Sequence, residues 1–216
     1  MVVVRNYQLL DIQDKDVVEY LRRGKGSKRS KPKPLSEEYQ HLIGIMKTKA
    51  QSMLDPKGLY ELFDIREVPS RDCFLEADQI AFAVVTIGDK LPNETSKLMK
   101  EGKLVDGVIL DAIGSAAAET VANLINDEIN NVVTELKLQY SERFSPGYCQ
   151  WDVKDQQIIF NRLPAETIGV ALTPAFLMTP IKSISFAVNV GKEILASRWE
   201  NRCKFCEIGD CSYKRE

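Results

Sequence analysis

The stretch Arg143-Phe144-Ser145-Pro146-Gly147-Tyr148 combines residue types that do different chemical jobs at one place. Pro146 pre-sets a turn, and Gly147, lacking a Cβ, permits a positive φ or the close approach of a ligand. Arg143 offers a planar fork that matches a carboxylate or phosphate. Tyr148 adds a flat face and a hydroxyl. Together they describe a tight turn presenting backbone amides and one fixed cation. By spacing alone the same residues also suit an ordinary surface turn with a solvated arginine. A second chemical signal is Cys203-x-x-Cys206-x4-Cys211. Closely spaced thiolates suit zinc or an iron–sulfur cluster, yet a closed zinc site takes four ligands and this tail supplies three. Cys73 or Cys149 would have to be the fourth. Reduced, unliganded thiols are the other reading.

The elements that must position these groups follow from periodicity. Residues 2–10 suggest a first strand or short arm, and 14–22 a helix with Val17, Val18 and Leu21 on one face. Ser36-Glu37-Glu38 opens a helix towards Met53, stopped by Asp55-Pro56. A strand follows near 59–65. Gln79 to Gly88 is almost wholly apolar, which predicts a strand covered on both faces. From 91 to 136 the pattern is helical, one short helix and then a long one. Ala112, Ala116, Ala117 and Ala118 let that long helix approach a neighbour closely. Ile109, Ile113, Val121, Leu124, Ile125, Ile129, Val132 and Val133 give it a broad apolar stripe. A short helix at 155–163 and a late strand at 184–190 complete the set. Strands and helices without strict alternation predict an α+β fold: one domain over 1–216, with a twisted, largely antiparallel sheet packed on the long alanine-rich helix and shorter helices.

Composition narrows the function. The 216 residues carry 29 basic and 31 acidic side chains, a net charge of −2, which argues against a nucleic-acid binder. No uninterrupted apolar run reaches the roughly 18 residues of a membrane span. Met1-Val2-Val3-Val4-Arg5 meets charge too early for a secretory leader. A cytoplasmic location without membrane or nucleic-acid partners is the expectation. Five cysteines, three of them in the tail, do not read as a disulfide framework. The single histidine, His41, reads as an ordinary helix residue. Seven basic residues and no acid between 22 and 34 form an exposed loop. It is either solvated or docks an acidic partner, where charge mainly raises the encounter rate.

Three ordered blocks resemble the activation domain of cobalamin-dependent methionine synthase, in its free-standing form. They are Ser115-Ala-Ala-Ala-Glu119, then Arg143-x-x-x-Gly147-Tyr148, then Leu172-Thr173 to Met178-Thr179-Pro180-x-Lys182-Ser183-x-Ser185. The resemblance covers roughly 75–190. It implies binding of S-adenosylmethionine and reductive remethylation of cob(II)alamin carried by a partner chain, as a subunit of a methyltransferase in methionine biosynthesis. On that resemblance Arg143 pairs with the ligand's carboxylate and Glu119 meets its ammonium or sulfonium. Ser145 to Gly147 offer amides to the nucleoside, and Tyr148 borders the groove. The implied partners are a corrinoid-bearing methionine synthase chain and an electron donor such as flavodoxin or ferredoxin. One departure is Cys149-Gln150-Trp151-Asp152, where the long enzymes carry a Pro-Ala-Cys-Pro run.

Two absences agree with this. Gly24-Lys25-Gly26 lies in the basic loop, so no Rossmann glycine turn follows a strand. No Asp-x-His-x-x-Gly signature surrounds His41, so the corrinoid is expected on the partner. The alternatives are a non-catalytic S-adenosylmethionine-binding protein or a metal-binding adaptor organised by the cysteine tail.

Overall fold

The computed structural model describes residues 1–23, 35–74, 77–148 and 151–194. Most of the basic loop and the whole cysteine tail, with Cys203, Cys206 and Cys211, lie outside the described residues, as does Cys149. In chain order the elements are β1 (Val3–Asn6), α1 (Asp14–Arg23), α2 (Glu37–Gln51), β2 (Lys57–Asp64) and β3 (Gln79–Thr86). Then come α3 (Lys90–Lys100), α4 (Leu104–Glu135), β4 (Gln139–Tyr140) and α5 (Gln156–Phe160). The last are β5 (Ala171–Leu172), β6 (Met178–Thr179) and β7 (Ser183–Gly191). Single 3₁₀ turns fill several connections. The α+β expectation holds: β1-β2-β3-β7-β4 form one antiparallel sheet, and β5-β6 a separate hairpin.

Strand β3 is the centre, and alternation along it divides the core in two. Ala81, Ala83 and Val85 face the helices, whereas Ile80, Phe82 and Val84 face the opposite side. All six are fully buried, which explains why this strand reads as a continuous apolar run. The residues facing α4 are small, and so are Ala112, Ala116, Ala117 and Ala122 on the helix itself. Helix and sheet therefore come close together. At Gly58 in β2 an added Cβ would sit 2.7 Å from Ile125 Cγ1 of α4, so only glycine fits that crossing. By length and composition α4 would cross a membrane, but most of its apolar window is buried among α1, α2, α3 and the sheet.

The other face of the sheet is covered by irregular chain rather than long helices. Phe74, Phe144, Trp151, Ile158, Ile159 and Leu163 pack there on Phe82 and Val84. The short helix expected at 155–163 is in fact a 3₁₀ turn, Val153–Asp155, running into α5, which ends at Phe160. Asn161 follows as its cap, and Pro164 three residues later bars any continuation. The strand expected at 59–65 begins two residues earlier and yields to a 3₁₀ turn capped by Asp64, whose carboxylate accepts from Arg66 N–H.

Two neutral acids are held in this fold. Burial pushes the Cys73 thiol up from 9.0 to about 12, and burial pushes the Tyr60 hydroxyl up from 10.0 to about 12, helped by Glu128. Tyr60 donates to Glu128 Oε1 at 3.2 Å, and Glu128 also accepts both Arg5 donors, tying β1 to α4. Between their ordinary and raised values the folded chain keeps protons that the unfolded chain releases. Their contribution is therefore complete below pH 9 and lost as pH rises towards 12. Urea midpoints should be level through neutrality and fall from about pH 9 upward, and Cys73→Ala should flatten the start of that fall.

Candidate functional site

Helix α4 and the sheet edge bring the sequence-predicted residues together. Glu119 and Arg143 are 24 residues apart, yet Arg143 Nη2 donates to Glu119 Oε2 at 2.5 Å and to Asn123 Oδ1 at 3.0 Å. The guanidinium also lies over the ring of Phe186 on β7, 5.5 Å from its centroid. The Arg143 and Glu119 side chains are 25% and 39% exposed, respectively, so the pair sits on an accessible rim rather than in the core.

Arg143 reaches this position because the chain after β4 follows β7 without a continuous ladder. Tyr140 pairs with Val190, Ser141 N–H donates to Asn189 O, and Phe144 bridges Ala187. Beyond Phe144 the chain leaves the sheet at Ser145. Pro146 is buried and Gly147 takes φ +89°, the conformation its missing Cβ permits. Gly147 N–H donates to Trp151 O at 2.7 Å, and Tyr148 N–H to Ser145 O at 3.3 Å. The turn is thus closed on itself, and the amide expected to serve a ligand at Gly147 is occupied by Trp151. What remains at Gly147 is an exposed backbone without a side chain. Tyr148 is 50% exposed beside it.

Sequence reasoning missed a second charged group on the same face of α4. Lys182 Nζ donates to Ser115 Oγ at 2.7 Å and lies 2.9 Å from Asp111 Oδ1. Its stem crosses Gly114, where an added Cβ would meet Lys182 Cε at 3.4 Å. The signal was present: Asp111, Ser115, Glu119 and Asn123 recur every four residues, which places them in one row along a helix.

A cleft of about 360 Å³ lined by Pro69, Arg71, Lys154, Asp155, Ile158 and Arg162 includes none of the predicted residues. Arg71 clamps Asp155 through Nε at 2.6 Å and Nη2 at 2.8 Å, holding that carboxyl below its usual range. The cleft is a tie between surface turns, and the rim along α4 is the better candidate. Among the described residues no group of three or more His, Cys, Asp or Glu is placed to hold a metal ion.

No family model matches the chain, and no curated protein matches it. Among solved structures, the crystal structure of the MetH reactivation domain bound to AdoHcy aligns over 95% of this chain and 86% of that one. The TM-score is 0.66 at 14% identity. The fold is shared. At that identity the likeness speaks for architecture, and it bears out the fold implied by the three sequence blocks. The roles of Glu119, Arg143, Ser145, Gly147 and Tyr148 rest on other grounds.

Proposed function

We propose that this chain binds S-adenosylmethionine along the α4 rim and presents its methyl group to cobalamin held by a partner methionine synthase or related corrinoid methyltransferase. The observation that carries the reading is the meeting of Glu119 and Arg143, placed at 2.5 Å by α4 and the β7 edge. The amino-acid end of S-adenosylmethionine is a zwitterion. A carboxylate that enters takes the guanidinium fork, and the ammonium takes the Glu119 carboxylate. At the amino-acid end, ligand binding thus exchanges one ion pair for two, and the sulfonium remains as a further positive charge. Each charge-assisted contact contributes roughly 1.5–3 kcal/mol when well formed. The ordered sequence blocks and the likeness to a domain bound to AdoHcy both support the same ligand class.

In this reading the protein supplies position and electrostatics, and the cofactor supplies the methyl-accepting chemistry. One electron from a flavodoxin- or ferredoxin-type donor, together with the methyl group of S-adenosylmethionine, converts cob(II)alamin to methylcobalamin and releases S-adenosylhomocysteine. The uphill reduction is drawn forward by the methyl transfer. Calorimetric titration of S-adenosylmethionine into the full chain tests the first half: saturable one-to-one binding is expected. Absence of heat and of any ligand-induced rise in melting temperature would count against the whole reading. A protein that binds but fails to restore methylcobalamin on a cob(II)alamin partner with reductant is a sensor or scaffold instead.

A further inference from the structure

Two rows of side chains face each other across the rim with matched spacing. On α4, Asp111, Ser115, Glu119 and Asn123 step by four residues, about 6 Å each. From the residue just before β7, Lys182, Ile184 and Phe186 step by two, about 6.7 Å each in extended chain. Ile184 and Phe186 both pack on the helix side of the sheet. Lys182 meets the first pair of the helix row, and Arg143 over Phe186 meets the second. The rim therefore has two charged ends about 12 Å apart, eight helical residues, with half-buried Ile184 between them and the fully buried Phe186 ring beneath Arg143.

The two ends differ in chemistry. At one, Arg143 presents a fork to an anion. At the other, Lys182 is only 13% exposed and its charge is already matched, while Asp111 is 53% exposed and open to solvent. Ser115 Oγ donates to Asp111 O and accepts from Lys182, so this end is ordered by three bonds before any ligand arrives. An oriented, exposed carboxylate is an acceptor for two neighbouring hydroxyls and a poor partner for another anion. It also lies towards the N-terminal half of β7, beyond the point where the 145–148 turn leaves the sheet.

We infer that Asp111 is the nucleoside-binding end of this rim, its carboxylate accepting the ribose hydroxyls, with Lys182 and Ser115 as positioning residues. This rests on the reading that the rim binds S-adenosylmethionine.

The test uses two probes, S-adenosylmethionine and 5′-methylthioadenosine, which keeps the nucleoside but lacks the amino-acid end. Dissociation constants are measured for the wild-type chain, Asp111→Asn, Lys182→Met, Lys182→Arg and Glu119→Gln, with melting temperatures as a control on folding. Asp111→Asn should weaken both probes by the same factor, about tenfold. Lys182→Met should do the same and Lys182→Arg should restore most of it. Glu119→Gln should weaken S-adenosylmethionine alone. If the wild type binds S-adenosylmethionine while Asp111→Asn binds both probes unchanged, the assignment of Asp111 is overturned and the ligand reading stands. If the folded Asp111→Asn weakens only S-adenosylmethionine, Asp111 serves the amino-acid end and the assignment is likewise overturned. A wild type that binds neither probe sinks the ligand reading itself.

Discussion

Arg143→Ala should weaken S-adenosylmethionine binding between about tenfold and 150-fold, the range that 1.5–3 kcal/mol of charge-assisted contact predicts. Its effect on unfolding should be small, because a pair 25% and 39% exposed is partly screened by water and contributes no more than about 1 kcal/mol. That contrast between affinity and stability is the informative part. In the free protein Glu119 already occupies the guanidinium, so the pair looks structural. If it were only structural, removing Arg143 would leave calorimetry unchanged. If it holds a zwitterion, calorimetry moves and the midpoint barely does. Glu119→Gln extends the argument. It removes the ammonium partner and also frees Arg143 from its competitor, so its loss should be smaller than that of Arg143→Ala. The double variant should fall short of the sum of the single effects, since the two side chains are in direct contact and hold the same end of the ligand. An Arg143→Ala chain with wild-type affinity would mean that the ligand binds away from Arg143 and the α4 rim.

The α4 helix shows why long elements were legible in this sequence. Its alanines and its Ile109–Val133 stripe repeat at helical spacing through most of a 32-residue helix, enough periods for the pattern to be unambiguous. Strand β3 was equally plain, because burial on both faces demands unbroken apolar sequence. The strands β4, β5 and β6 have two residues each, and two residues carry no period. The layer on the far side of the sheet was illegible for a related reason. Phe74, Phe144 and Trp151 come from three separate irregular segments and meet only in space. For the candidate site, the convergence of Glu119 with Arg143 came from resemblance, since nothing local joins residues 24 apart. The four-residue row that includes Asp111 was in plain view. It carries meaning only once β7 lies beside it, because alone it is the polar stripe of any amphipathic helix.

That far layer decides whether the site persists, and Phe74 is its meeting point. Its ring lies 5.3 Å from Trp151 in edge-to-face contact, 6.0 Å from Phe82 and 6.2 Å from Phe144. It is 3% exposed, with partners anchored on different elements, so the space left by truncation cannot collapse easily. Phe74→Ala should therefore cost about 3–5 kcal/mol, a large fraction of the roughly 5–15 kcal/mol that holds such a domain together. The check is a urea midpoint shifted by that amount at unchanged slope, against Leu177→Ala, an exposed control expected within about 0.5 kcal/mol of wild type. A cost below about 1 kcal/mol would mean that Phe74 packs only loosely on the three rings around it. The large cost has a second consequence. Phe144 precedes the turn and Trp151 O accepts from Gly147, so both walls of that turn lean on Phe74. In the folded Phe74→Ala chain the groove should bind S-adenosylmethionine more weakly even though no ligand contact has been touched.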